Sequence, residues 1–153
     1  MDEEVKEALL TIANDIFYAL IDKQEGTVFE WFDELEPFTE PIYSWVDSDG
    51  DKQHRVLLTM ENETSKDITR AMYLLGETDE VTFEDQEDAF GEIANVIGGN
   101  MKSIFEDSGS LSIPRVSMSK PTDEETPILS VNLNWKGKFL VISISDLDVA
   151  DAA

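Results

Sequence analysis

The sequence contains no cysteine, which excludes disulfides, thiolate metal sites and a cysteine nucleophile, and which agrees with a reducing compartment. Positive charge is scarce, with 11 Lys and Arg against 34 Asp and Glu for a formal net charge of −23. A field of that sign disfavours nucleic acid and anionic membrane surfaces, because both are held by cationic neutralisation of phosphate. The single histidine, His54, falls in a predicted strand just after a turn, so no Ser-His-Asp arrangement can be built on it. No apolar run approaches the roughly 20 residues that span a bilayer. The first residues, MDEEVKEALL, are acidic and amphipathic where a secretion signal is basic and then continuously apolar. A soluble cytoplasmic protein is expected, with neither nucleic acid nor membrane as a partner.

What is present suffices for one core. At 153 residues and 41% hydrophobic, the chain is expected to form a single domain over 1–153. Residues 3–22 carry apolar side chains at helical spacing from Val5 to Leu20, with acids early to oppose the helix dipole. Gly26 lies at or beyond the end of that helix. A weak strand is expected within Thr27 to Phe32, and a hairpin pairs Ile42 to Val46 with Arg55 to Glu61 through the turn residues DSDGDK. Ser65 to Leu75 has a helical period, capped by Ser65 or Thr64 and stopped by Gly76. Strands follow at Ser110 to Ser119, Ile128 to Asn134 and Phe139 to Ser145, the last two joined by a tight turn at Lys136-Gly137-Lys138. The run FLVISIS is apolar and uncharged, and an exposed edge there would invite pairing with another chain. It is expected to be central in the sheet or buried in a homodimer.

Two stretches echo each other. Ala8 to Ile16 and Ala89 to Ile97 match at five of nine positions, and the same offset of 81 lays Arg55 to Glu61 onto Lys136 to Ile142. This suggests one helix-plus-strands unit duplicated and related by a pseudo-twofold axis. Thr11 stands in the first copy where Glu92 stands in the second.

The second copy carries polar groups that a core does not need. Over Glu84 to Phe105, the side chains of Phe90, Ile93, Ala94, Ile97, Met101, Ile104 and Phe105 gather on one side of a helix at about 100° per residue. Asp88, Glu92, Asn95 and Gly99 gather on the other, at i, i+4, i+7 and i+11. An asparagine amide does not titrate near neutrality, so Asn95 can hold a water but cannot act as a base. Glu92 on a solvated face is better suited to gripping a cation. A pair this sparse accelerates hydrolysis only when the electrophile arrives already activated, as a phosphoryl group on another protein's metal does.

The pattern Asp88-x-x-x-Glu92-x-x-Asn95, followed by Gly99-Asn100 on the longer helix, resembles the CheC/CheX/FliY phosphatases of bacterial chemotaxis, and the single equipped helix looks most like CheX. The resemblance implies an α+β fold, a pseudo-symmetric two-layer domain with two long helices packed on one face of a mainly antiparallel sheet, which agrees with the duplication. It also implies hydrolysis of the aspartyl phosphate on a CheY-type receiver domain. Asn95 would orient the attacking water, Glu92 would pair with the receiver's lysine, and Asp88 would support the partner-binding surface. Gly98 and Gly99 are expected on that surface for a separate physical reason, since small residues let another protein's backbone approach closely. The receiver would bring its own Mg²⁺, so no cofactor and no metal site are expected on this chain.

Other readings accompany this one. Taken from spacing alone, Glu92 and Asn95 are two solvated polar residues of a helix face. The same fold could serve as a non-catalytic receiver-binding adaptor, or as a purely structural homodimer module. Asp47, Asp49 and Asp51 do not make an EF-hand, because Gly50 falls at position four and Leu58 at twelve.

Overall fold

The computed structural model describes residues 2–50, 53–101, 110–123 and 125–147. Helix α1 spans Asp2–Ile16 and continues as a π-helical turn over Phe17–Asp22. Strands β1 (Val28–Glu30), β2 (Pro41–Asp49) and β3 (Gln53–Glu61) follow, then helix α2 (Asn62–Met72) and helix α3 (Phe83–Met101). Strands β4 (Arg115–Ser117), β5 (Glu125–Trp135) and β6 (Lys138–Leu147) complete one antiparallel sheet, in the order β1-β5-β6-β3-β2-β4. The FLVISIS run therefore lies in the centre of the sheet, β6 being hydrogen-bonded to β5 on one side and β3 on the other.

Alternation along the strands sorts the sheet into two faces. Val56, Leu58 and Met60 of β3 and Leu140, Ile142 and Ile144 of β6 are buried in one core with Leu9, Ala13 and Ile16 of α1 and Phe90, Ala94 and Ile97 of α3. These helix positions are the ones that the offset of 81 aligns. The sheet order also reads alike from either edge: a short strand, a hairpin, a hairpin and a short strand. Each short strand pairs with the hairpin that lies farther away in the chain, β1 with β5 and β4 with β2.

Turn chemistry explains the β5–β6 hairpin. Trp135 pairs with Lys138 across a two-residue loop in which Lys136 has φ 54° and Gly137 φ 83°, and two positive φ values match the twist of the flanking strands.

Several expected boundaries differ from the observed ones. The first helix does not run as a plain α-helix to residue 22. Its π turn ends where Asp22 accepts hydrogen bonds from Trp135 Nε1 (2.7 Å) and Thr27 Oγ1 (2.6 Å) and an ion pair from Lys136 Nζ (3.1 Å). Burial opposes ionisation of that carboxyl, but these donors outweigh it and hold it below the usual aspartate range. Ser65 and Thr64 do not cap α2, because the helix begins at Asn62 directly off β3, with the Asn62 amide donating to Glu40 O at 2.8 Å. Ser65 is instead buried in the first turn, donating to Asn62 O. Gly76 is not the stop either, since Leu74 already leaves helical geometry at φ 55°. The strand expected at Ser110 to Ser119 shrinks to three residues of β4, with one isolated bridge between Leu111 and Ser48.

Candidate functional site

Helix α3 starts on a reciprocal cap that the sequence reading passed over. The Thr82 amide donates to Asp85 Oδ2 at 3.0 Å, and the Asp85 amide donates to Thr82 Oγ1 at 3.1 Å. Two tethers then fix the helix's rotation about its axis. Gln86, buried in the first turn, donates from Nε2 to Asn62 Oδ1 (2.8 Å) and Ser65 Oγ (2.5 Å) of α2. Ser44 of β2 donates from Oγ to Phe90 O at 3.3 Å. With Phe90, Ile93, Ala94, Ile97 and Met101 turned into the core, the polar line must face out. The expected stripe residues Ile104 and Phe105 lie outside the described residues.

Asp88, Glu92, Asn95 and Gly99 are all exposed, as their spacing requires. The side chains of Asp88, Glu92 and Asn95 have no hydrogen-bond or ion-pair partner among the described residues. A carboxylate and a carboxamide one helical turn apart thus keep their full bonding capacity for something outside the chain. Asn14, the counterpart of Asn95 on α1, spends its amide on Leu10 O at 3.1 Å and has exposed Thr11 in place of a glutamate.

The two glycines separate. Gly99 is open, and an added Cβ would meet nothing within 4 Å. Gly98 is buried and faces β2, where a Cβ would come to 2.8 Å from Val46 Cγ1 and 3.3 Å from Leu111 Cδ1. Its place on the partner-binding surface is therefore corrected: the missing side chain lets α3 lie close on the sheet. Gly98→Ala is expected to lower stability, because overpacking of about 1–3 kcal/mol exceeds the gain of roughly 1 kcal/mol in helix propensity. Gly99→Ala is expected to raise stability by up to roughly 1 kcal/mol. Paired urea denaturation measures both signs.

Tyr73, the C-cap of α2, flanks the line and was not singled out in the sequence, where MYLL reads as one more helical face. Partial burial raises its phenol pKa, and the negative charges of Asp88, Glu92 and Asp85 raise it further. No group of three or more His, Asp or Glu side chains that could hold a metal occurs among the described residues. No helix among them is long and apolar enough to cross a membrane.

Comparison with known proteins places this geometry in context. Residues 42–132, more than half of the chain and including all of α3, match the family model described as chemotaxis phosphatase CheX. No curated protein sequence matches. Among solved structures, a chemotaxis protein CheX from Desulfovibrio desulfuricans is similar with a TM-score of 0.66 at 13% identity, covering 94% of this chain and 99% of that one. CheX from Vibrio vulnificus gives 0.68 at 17%, covering 92% and 94%. A chain of a CheX-CheY-BeF3-Mg²⁺ complex from Borrelia burgdorferi gives 0.65 at 16%, covering 92% and 96%. At these identities the likeness establishes the fold.

Proposed function

The chain belongs to the chemotaxis phosphatase CheX family, and from that premise we propose that it hydrolyses the aspartyl phosphate of a CheY-type receiver domain, with Asn95 and Glu92 as the working pair. The observation that carries the reading is the exposed Glu92 and Asn95 pair, whose polar atoms the fold leaves unpartnered among the described residues while its tethers turn the helix face that carries them outward.

The chemistry follows from what each group can do. The Asn95 carboxamide accepts from and donates to a water, which it holds in line with the bond between phosphorus and the receiver's aspartate. Water attacks phosphorus, the bond to the aspartate oxygen breaks, and the products are inorganic phosphate and the receiver carboxylate. Asn95 itself takes no proton, so its contribution is positioning. The Glu92 carboxylate pairs with the receiver's active-site lysine and fixes the docking register. Asp88 and Gly99 extend the contact along the helix, Gly99 by leaving room for a partner's backbone. Mg²⁺ is assigned to the receiver, with which the Borrelia complex, containing CheY, BeF3 and Mg²⁺, is consistent. In this reading α1, with Thr11 in place of glutamate, is the unequipped copy of a duplicated unit.

Glu92→Lys tests the docking half of the mechanism. Setting two cations against each other at a desolvated contact costs about 2–5 kcal/mol, so the receiver concentration for half-maximal rate should rise at least roughly 25-fold. Steady-state phosphate release against receiver concentration is the measurement. An unchanged half-saturation point would remove Glu92 from the interface.

A further inference from the structure

The end of helix α2 is closed by a motif that normally needs glycine. The Leu75 amide donates to Arg70 O at 2.8 Å and the Leu74 amide reaches Ala71 O at 3.4 Å, which are the two bonds of a Schellman turn with Leu74 at the C′ position. C′ adopts the left-handed conformation, and Leu74 does so at φ 55°. For a residue with a Cβ that conformation is unfavourable, and glycine or asparagine is the usual solution. Leucine has no side-chain hydrogen bond with which to offset the strain.

Packing does not compensate for the strain within the chain. Leu74 is 84% exposed, among the most exposed large apolar side chains of the described residues. It adjoins Tyr73, which is 42% exposed and whose phenol lies within electrostatic reach of Asp88 and Glu92. Leu75, 38% exposed, continues the strip. Helix α2 packs against α3, to which Gln86 ties it, so the apolar strip at its terminus starts at Tyr73 on the helix that adjoins the acidic line. Strained backbone clusters at sites where the strained residue has a function, and Leu74, unlike Lys136 at φ 54°, belongs to no hairpin turn that would require it.

We propose that Tyr73 and Leu74 form the apolar half of the receiver-docking surface, with Leu74 as its anchor and the Glu92 and Asn95 pair as its polar half. This rests on the phosphatase reading above and assigns residues outside the helical motif to recognition of the same partner. Charged contacts on α3 would set register, whereas burial of the leucine on an apolar patch of the receiver would supply affinity. Because Leu74 lies off the reacting atoms, its removal should act on binding and leave the chemical step alone.

The test uses the full chain and two substitutions that both suit a left-handed backbone, Leu74→Gly and Leu74→Asn. The probe is the CheY-type receiver that the unsubstituted chain dephosphorylates best, loaded with Mg²⁺ and BeF3⁻ for binding and phosphorylated for turnover. Both variants should bind the loaded receiver about tenfold more weakly, and KM should rise in parallel with kcat unchanged. Thermal unfolding of Leu74→Gly should shift upward by about 2–4 °C, because the strain is relieved at no loss of internal packing. If KM and affinity stay as they were while the unsubstituted chain is active, the apolar anchor is wrong and the phosphatase reading stands. A fall in Tm for Leu74→Gly would also overturn it, by showing that the leucine is held for packing within the chain. If the unsubstituted chain accelerates phosphate loss from no receiver, the phosphatase reading fails and this assignment with it.

Discussion

Asn95→Ala is expected to reduce phosphate loss from a phosphorylated receiver to the receiver's own rate while leaving folding and docking intact. The side chain is exposed and has no partner among the described residues, so its removal opens no cavity and strands no buried group. Alanine is the better helix former of the two, so stability should stay level or rise slightly. What is lost is the group that holds water in line. Misplacing a reacting atom by about 1 Å already costs on the order of 100-fold, and removing its holder should cost at least that in kcat. Binding of a BeF3⁻-loaded receiver should survive, since Glu92 and the apolar strip remain. Asn95→Asp separates positioning from mere hydrogen bonding. It keeps the size but replaces two donors with a negative charge facing phosphate, and should be no more active than alanine.

Arg55→Ala should produce the largest loss of stability of any single substitution considered. Arg55 is 2% exposed on the sheet face away from the helices. Its Nε and Nη2 donate to Asp47 Oδ1 and Oδ2 at 2.7 and 2.9 Å, Nη2 also reaches Asp123 Oδ2 at 2.8 Å, and Nη1 reaches Glu125 Oε2 at 3.2 Å. The guanidinium also lies 5.5 Å from the centre of the Trp45 ring. One cation thereby ties β3 to β2, to β5 and to the segment that leads into β5. Burial opposes its charge, yet the carboxylates prevail and push its pKa up. Deleting it leaves three carboxylates facing one another in a chain already at −23. Breaking a buried pair in this way costs about 3–5 kcal/mol, which for a chain of this length lowers Tm by roughly 10 °C or more. Arg55→Lys should recover only part of the loss, because an ammonium cannot make the bidentate contact with Asp47. Differential scanning calorimetry of the three proteins gives the order directly.

Periodicity carried much of this architecture into view before any coordinates. The buried stripe of α3, the two hairpins and the central place of β6 each follow from patterns inside a window of about twenty residues or fewer. The outward line from Asp88 to Gly99 was legible for the same reason, since burial of one helix face dictates the other. Gly98 was not, because Val46 and Leu111, which require its small size, lie 52 residues before and 13 after it. Arg55 escaped likewise: two of its partners are 68 and 70 residues downstream, and in sequence it looked like one more polar residue at a strand's end. The start of α2 was misplaced because Ser65 and Thr64 look like caps. Their burial, with Ser65 bonded to Gln86 of α3, and the Asn62 amide's bond to Glu40 decide the boundary instead. Leu74 shows the reverse case. Its local sequence suggests a helix, and only the backbone angle marks it as exceptional.

The central claim is most directly tested by mixing a phosphorylated CheY-type receiver with a substoichiometric amount of this protein and following the aspartyl phosphate as it is lost. The account predicts multiple turnovers, with decay faster in proportion to the amount of protein added, and decay at the receiver's intrinsic rate when Asn95→Ala is used instead. Binding of the receiver with decay at the intrinsic rate, or equal acceleration by Asn95→Ala, would contradict it.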